Sequence, residues 1–254
     1  MQHNNIDHLR NYQRHKSKII FQFISAVFIP VLLGIFTIIY TLQQESIAKI
    51  NREVDLRIAA EEHQQNLDLA IDEQRNSQLV NYIREVSDLL LANNFSLNQI
   101  ILTTIIRPKT LTTLRQLDPI RKSYLLRFLH ESQLLPTLNL KDADLRQIQI
   151  GSMNEIVLMD YSSFSSVYFD NASFNVKFDY SDFSFSRLRG ASFMLSSFDY
   201  VQFHGAILEE ADFGLARVYG ADFTTANMLN AKINQGQVLL TFIYYTYFIL
   251  FDIS

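Results

Sequence analysis

Six histidines, at 3, 8, 15, 63, 130 and 204, are the side chains best suited to hold a metal or move a proton near neutral pH, and they are scattered. None has a second ligand at a metal-binding spacing. Cysteine is absent, which removes disulfides, thiol nucleophiles and thiolate metal sites together. The sequence has no glycine-rich phosphate loop, no His-Glu-x-x-His and no Gly-x-Ser-x-Gly. The expectation is therefore a non-enzymatic protein with no catalytic residue, no cofactor and no metal. Two groups with chemistry remain: many serines and aspartates, and the tyrosines Tyr161, Tyr168, Tyr180, Tyr200 and Tyr219. What they do depends on the elements that carry them.

Those elements are set by a period of five. Large apolar residues fall on Phe178, Phe183, Leu188, Phe193, Phe198, Phe203, Leu208, Phe213, Val218, Phe223, Met228 and Ile233 without a break. Two positions before each stands a small or β-branched residue, such as Val176, Ser181, Ala191, Val201 or Ala221. Side chains alternate along a strand, so residues two apart share a face. A short strand can aim the small and the large residue inward, and three residues are left to turn a corner. Asp182, Asp212 and Asp222, and Gly190, Gly205 and Gly220, suit such corners, the acids by bonding nearby backbone and the glycines by tolerating unusual dihedrals. Four units per coil would stack residues twenty apart: Phe183, Phe203 and Phe223 in one column, and Phe178, Phe198 and Val218 in another. On this reading Ser162, Ser181 and Ser196 point inward and bond to backbone, while the tyrosines point outward, either simply facing solvent or making protein contacts.

Upstream, Met159, Phe164, Phe169 and Phe174 continue the series, and the step to Phe178 is four, which a corner would absorb. Leu140, Leu145 and Ile150 begin it. The interval from Ile150 to Met159 reads as two units less one residue, hence one imperfect rung. Ala143-Asp144-Leu145, Ala211-Asp212-Phe213 and Ala221-Asp222-Phe223 resemble the consensus of the pentapeptide-repeat family over about residues 138–235. That resemblance implies a right-handed quadrilateral β-helix. A narrower likeness, from Lys109 to Pro119 and on through Arg127-Phe128-Leu129-His130-Glu131, is to a helical segment that precedes the repeats in some large members of the family.

Ile19–Tyr40 carries no charged residue, and a helix of that length crosses a hydrocarbon core of about 30 Å. It reads as a single transmembrane helix. Arg10, Arg14, Lys16 and Lys18 before it outnumber Lys49 and Arg52 behind it, which places the N-terminus in the cytosol. From Thr41 to Asn93 there is neither proline nor glycine, so one long helical stalk is predicted. Its middle is polar all round, whereas Leu79, Ile83, Val86 and Leu90 form an apolar seam that docks on something or pairs as a short coiled coil. Residues 97–136 read as short helices broken near Arg107-Pro108 and Asp118-Pro119, with Thr110 or Asp118 capping a start. These helices are expected to cover the open first coil.

The predicted class is thus α + β, an N-terminal transmembrane helix and long helical stalk followed by a pentapeptide-repeat solenoid. The divisions are a polar tail at 1–18, the span at 19–40, the stalk at 41–93, capping helices at 94–137, repeats at 138–235 and an apolar tail at 236–254. Three readings stand for Val238–Phe251: a cap or homodimer surface, a membrane segment, or an end set by a mistaken gene boundary. A formal charge of −4 over 254 residues writes in no strong pull toward nucleic acid. The expected role is a membrane-tethered module that binds or scaffolds an unknown protein partner. The alternative, taken from the family, is a nucleic-acid mimic that inhibits a DNA-binding enzyme such as a topoisomerase.

Overall fold

The structure, a computed structural model, describes residues 16–152 and 156–234. The expectations for the N-terminal tail before residue 16 and for the apolar C-terminal tail lie outside the described residues. Two compact units divide the chain, Met1–Leu69 and Ala70–Ser254.

In the first unit the chain is helical from Lys16, as the first part of α1, which runs from Lys16 to Ala92. Mean hydropathy reaches 2.5 in its most apolar stretch, none of which is buried. It is the one helix among the described residues long and apolar enough to cross a membrane. A π turn spans Ile24–Phe28, two residues before Pro30. The proline ring would strike the carbonyl four residues back, that of Ala26, and widening the turn relieves that clash without ending the helix.

In the second unit, α1 buries Leu79, Tyr82, Val86 and Leu90. The seam docks within its own chain, as one of its two predicted uses required. It packs among Leu102, Ile106, Leu114, Leu125, Leu126 and Leu129 in one continuous core. A sharp turn at Asn93–Phe95 reverses the chain, with Asn94 and Phe95 in the left-handed region at φ of 51° and 58°. Then come α2 (Gln99–Ile101), a second π turn (Leu102–Ile106) and α3 (Arg107–Gln116). The predicted break at Arg107-Pro108 does not occur. Pro108 again follows a π turn by two residues, and the widened turn carries the helix past it.

The break at Asp118 is real. Asp118 accepts from the backbone N–H groups of Ile120 (3.0 Å) and Arg121 (3.1 Å), and Pro119 opens α4 (Pro119–Glu131). Thr110 is not a cap. It is buried inside α3, donating to the Ile106 carbonyl (2.8 Å) and sharing a 2.6 Å hydrogen bond with the Tyr82 hydroxyl.

The repeats wind into a four-sided coil. Parallel bridges join residues twenty apart from Lys177↔Ser197 through Asp212↔Lys232. Every large residue of the five-residue series from Phe178 to Ile233 is buried, and the columns stack as the spacing requires. Phe183 lies 5.5 Å from Phe203 between ring centroids, and Phe203 lies 5.0 Å from Phe223 at an interplanar angle of 8°. Only one outward residue sits between the two inward ones on each side, so pairing shows as isolated bridges. Two-residue strands form in two parallel pairs: β1 (Gln149–Ile150) with β3 (Ser173–Phe174), and β2 (Val157–Leu158) with β4 (Val176–Lys177).

The register departs from twenty at the N-terminal end. Asp144 bridges Tyr168 and Gln149 pairs with Ser173, both a step of 24. Ile150 and Met159 therefore stand on consecutive sides of the coil, with four residues more than the regular step between them, where the sequence suggested two sides with one residue lost. The next coil is short by one, pairing at 19, as in Ser163↔Asp182 and Tyr168↔Arg187. That residue is lost at the corner between Phe174 and Val176. The Ser196 hydroxyl from the coil above fills it, donating to the Phe174 carbonyl (2.9 Å) and accepting from the Val176 N–H (3.2 Å).

The helices do cover the first coil. Carbonyls that would otherwise face an absent coil are taken by side chains: Arg107 Nε donates to Asn139 (2.9 Å), Arg107 Nη2 to Lys141 (3.1 Å), and Ser123 Oγ to Gln149 (2.6 Å). The buried Lys122 reaches Asp144 at 3.6 Å.

Candidate binding surface

The side chains with chemistry sort into inward and outward sets. Inward serines are structural. Ser162 Oγ donates to the Met159 carbonyl (2.8 Å) and Ser186 Oγ to the Phe183 carbonyl (2.6 Å), while Ser181 Oγ accepts from the Ser162 N–H (2.9 Å). A buried hydroxyl with backbone partners on both sides is held by the fold and not poised for attack. Asp182, Asp212 and Asp222 do corner work: each Oδ1 accepts the backbone N–H two residues on, at 2.8, 2.9 and 2.8 Å. Among the described residues no group of three or more histidine and carboxylate side chains is placed to hold a metal. His63 is exposed on α1, and His204 lies edge-on to Phe185 at 5.3 Å. Burial pushes the His130 imidazole below its ordinary value, and its Nδ1 has no hydrogen-bond partner among the described residues.

Outward residues form ladders. At one corner a stacked aspartate column, Asp160, Asp179 and Asp199, runs from coil to coil. Asp160 Oδ1 accepts from the Asp179 N–H (2.9 Å), and Asp179 Oδ1 from the Asp199 N–H (3.0 Å). Bases beside this column answer it: Lys177 pairs with Asp160 (2.8 Å) and Asp179 (3.2 Å), and Arg217 pairs with Asp199. At the next columns Arg187 pairs with Asp170 (3.0 Å), Arg189 with Glu209 (3.3 Å) and Lys232 with Asp212 (3.2 Å).

The same corner carries the tyrosines. Tyr161 stacks on Tyr180 at 5.2 Å and 7°, and Tyr180 on Tyr200 at 5.2 Å and 9°. All three are exposed, as is Tyr219. The position above Tyr200 in this column is Gly220, in the left-handed region at φ +66°. A Cβ there would sit 2.7 Å from the Tyr200 ring, so the missing side chain makes room for it. Tyr219, one residue earlier, instead meets Tyr200 edge-on at 5.5 Å and 89°. Crowding by the neighbouring rings and a hydrogen bond with Tyr219 raise the Tyr200 phenol above its usual value. The fifth tyrosine, Tyr168, lies on a different side, under the Arg187 guanidinium at 5.5 Å. The sequence placed these rings outward; their stacking needed the coil's true register, because Tyr161 and Tyr180 are nineteen apart.

Eight copies of the pentapeptide-repeat family model match residues 177–214, within the regular coils. Residues 177–214 thus carry pentapeptide repeats. Its pentapeptide coil is similar to a pentapeptide-repeat protein from the Arabidopsis thaliana thylakoid lumen, at 23% identity over 38% of this chain and 72% of that one, TM-score 0.23. It is also similar to a trypsin-treated form of QnrB1, a plasmid-mediated fluoroquinolone resistance protein, at 16% identity over 45% and 58%, TM-score 0.24. HetL, involved in heterocyst differentiation regulation in the cyanobacterium Nostoc, is similar at 17% identity over 46% and 65%, TM-score 0.16. No curated protein matches the sequence.

One further feature was not legible in the sequence. A cleft of about 610 Å³ lies within the second unit, where α1, α4 and the first coil meet. Arg75, Pro119, Ile120, Tyr124, Gln147 and Gln149 are among its walls. Its residues come from three segments far apart in the chain, so no local pattern marks them.

Proposed function

We propose that this pentapeptide-repeat protein is a non-enzymatic binding module tethered to a membrane by one helix, with its N-terminus cytosolic. The exposed column of Tyr161, Tyr180 and Tyr200, with Tyr219 edge-on at its end, offers a rigid edge to a protein partner. That column is the observation that carries the reading. Tyrosine gives large contact area at small entropic cost, and here the rings are already ordered by one another. The tether rests on the uncharged run in α1, none of it buried. The coil is right-handed in this reading, as in the family it resembles.

The mimicry of nucleic acid is less well supported. Lys177, Arg187, Arg189, Arg217 and Lys232 are each paired with an acid of an adjacent coil, so the outward columns alternate in sign. A phosphate backbone carries one sign throughout.

Two measurements test the proposal. Alkaline extraction followed by protease protection of intact vesicles should leave the full chain in the membrane pellet with its repeats shielded. Recovery in the soluble fraction would remove the tether. A photocrosslinking residue at Tyr180 should then give a discrete protein adduct that Tyr200→Ser abolishes; an unchanged adduct pattern in Tyr200→Ser would remove the tyrosine column from the interface.

A further inference from the structure

The cleft between α1, α4 and the first coil stands apart from the tyrosine edge, and its wall chemistry is specific. One side is apolar and open: Ile120 is 65% exposed and Tyr124 57%, beside Pro119. For side chains on a packed helix those are large unpartnered surfaces. The first coil contributes polar residues to the lining, Gln147 and Gln149. Of the two carboxylates in the cleft, both are neutralised by one guanidinium: Arg121 lies 2.6 Å from Asp118 and 2.9 Å from Asp72. Arg75 also lines the cleft, half-buried, with neither a hydrogen bond nor an ion pair to any described residue. A cation held against a low-dielectric wall without a counter-charge attracts an anion more strongly than one in bulk water. The volume of about 610 Å³ falls in the range of sites that take small molecules.

We propose that this cleft binds a small monoanion with an apolar body, its carboxylate or phosphate-type head on Arg75 and its body against Pro119, Ile120 and Tyr124. The register defect opens beside this site. The four extra residues of the coil fall between Ile150 and Met159, directly after β1, whose Gln149 and Ile150 line the cleft together with Gly151 and Ser152. A coil of regular register would run straight on at that point.

The test uses the full chain in detergent micelles, with micelles alone as the blank, and two water-soluble probes of one shape: 2-naphthoate, which is charged, and 2-naphthylmethanol, which is not. Fluorescence titration of 2-naphthoate should saturate at one per chain. Arg75→Gln should weaken it at least about tenfold, the worth of one charge-assisted contact. Arg75→Lys should keep most of the affinity, and Tyr124→Ser should weaken both probes. Circular dichroism of each variant confirms folding. No saturable binding of 2-naphthoate, equal affinity for the two probes, or Arg75→Gln binding like wild type would each overturn the proposal.

Discussion

Replacing Phe203 tests the coil most directly. Its ring is fully buried, stacked between Phe183 (5.5 Å, 28°) and Phe223 (5.0 Å, 8°), and it meets Phe213 edge-on at 5.9 Å. In a solenoid each rung is stabilised by the rungs on both sides, so this residue supports two inter-coil interfaces at once. Phe203→Ala removes the ring and leaves a cavity, which costs about 4 kcal/mol. Phe203→Asp adds an unpaired carboxylate in a dry column and should cost more. Asp212→Ala is the control. Its Oδ1 bond to the Gly214 N–H (2.9 Å) and its exposed pair with Lys232 (3.2 Å) together come to about 1 kcal/mol. Urea unfolding read by near-ultraviolet dichroism of the stacked rings gives the comparison. With a slope of about 2 kcal/mol per molar, the difference of about 3 kcal/mol separates the Ala variants at 203 and 212 by about 1.5 M in midpoint. Midpoints that coincide would mean that the rings at 183, 203 and 223 do not hold the coils together.

Three other outcomes follow from the geometry. Burial pushes the Tyr82 phenol up to about 12, against the bond from Thr110 that lowers it. The folded state therefore keeps a proton the unfolded chain gives up, and its stabilising effect is complete below about pH 10 and lost as pH rises toward 12. Tyr82→Phe should lose about 1 kcal/mol at neutral pH and show a shallower decline above pH 10 in urea midpoints. The Arg146 guanidinium, with Lys122 behind it, holds the Asp144 carboxyl well below the usual carboxylate range, so its contribution is present above that range and lost on acidification through and below it. Asp144→Asn should remove that acid-side loss and, by leaving Lys122 buried beside a neutral group, lower stability at pH 7 by about 2 kcal/mol; an unchanged acid titration would refute the link. Gly151→Ala places a Cβ on the Asn175 carbonyl oxygen at φ +78°, whereas at Gly214 the nearest atom is Asp212 Oδ1 at 3.1 Å. The first change should cost about 3 kcal/mol or more and the second under about 1 kcal/mol, measured as thermal midpoints.

The coil is legible because its signal is repeated: twelve large residues at one spacing fix which side chains point inward, whatever any single unit does. The lost residue before Phe178 is visible for the same reason. The interval after Ile150 misleads because nine residues fit two short sides as well as one long one, and only the pairing of Gln149 with Ser173 distinguishes them. Pro108 reads wrongly as a helix end because a proline removes one bond in either case. Whether the helix stops or widens depends on packing around Ile106, which is fully buried. Thr110 has the chemistry of a cap but sits opposite Tyr82, a partner 28 residues away. Arg75 lies in a stretch, Asp72-Glu73-Gln74-Arg75, that reads as polar all round, and its distinction from its neighbours comes from α4 and the first coil.

These departures from the repeat share a location. From Lys177 upward every bridge is at twenty, whereas the steps of 24 and 19 belong to the coils nearest the helices. A coil stacked on a coil must copy its neighbour's register, because each backbone bond and each ring in a column depends on the match. The first coil has no such neighbour. Its edge is met by Arg107, Lys122 and Ser123, flexible side chains that reach for carbonyls and a carboxylate wherever they lie. Register is therefore free to vary there without cost to the stack above, and a cleft can open without breaking a column. Locally broken rules in an otherwise regular protein tend to mark the places used for something besides stability. By that argument the regular coils hold the proposed tyrosine edge rigid, and the proposed ligand cleft falls at the capped end.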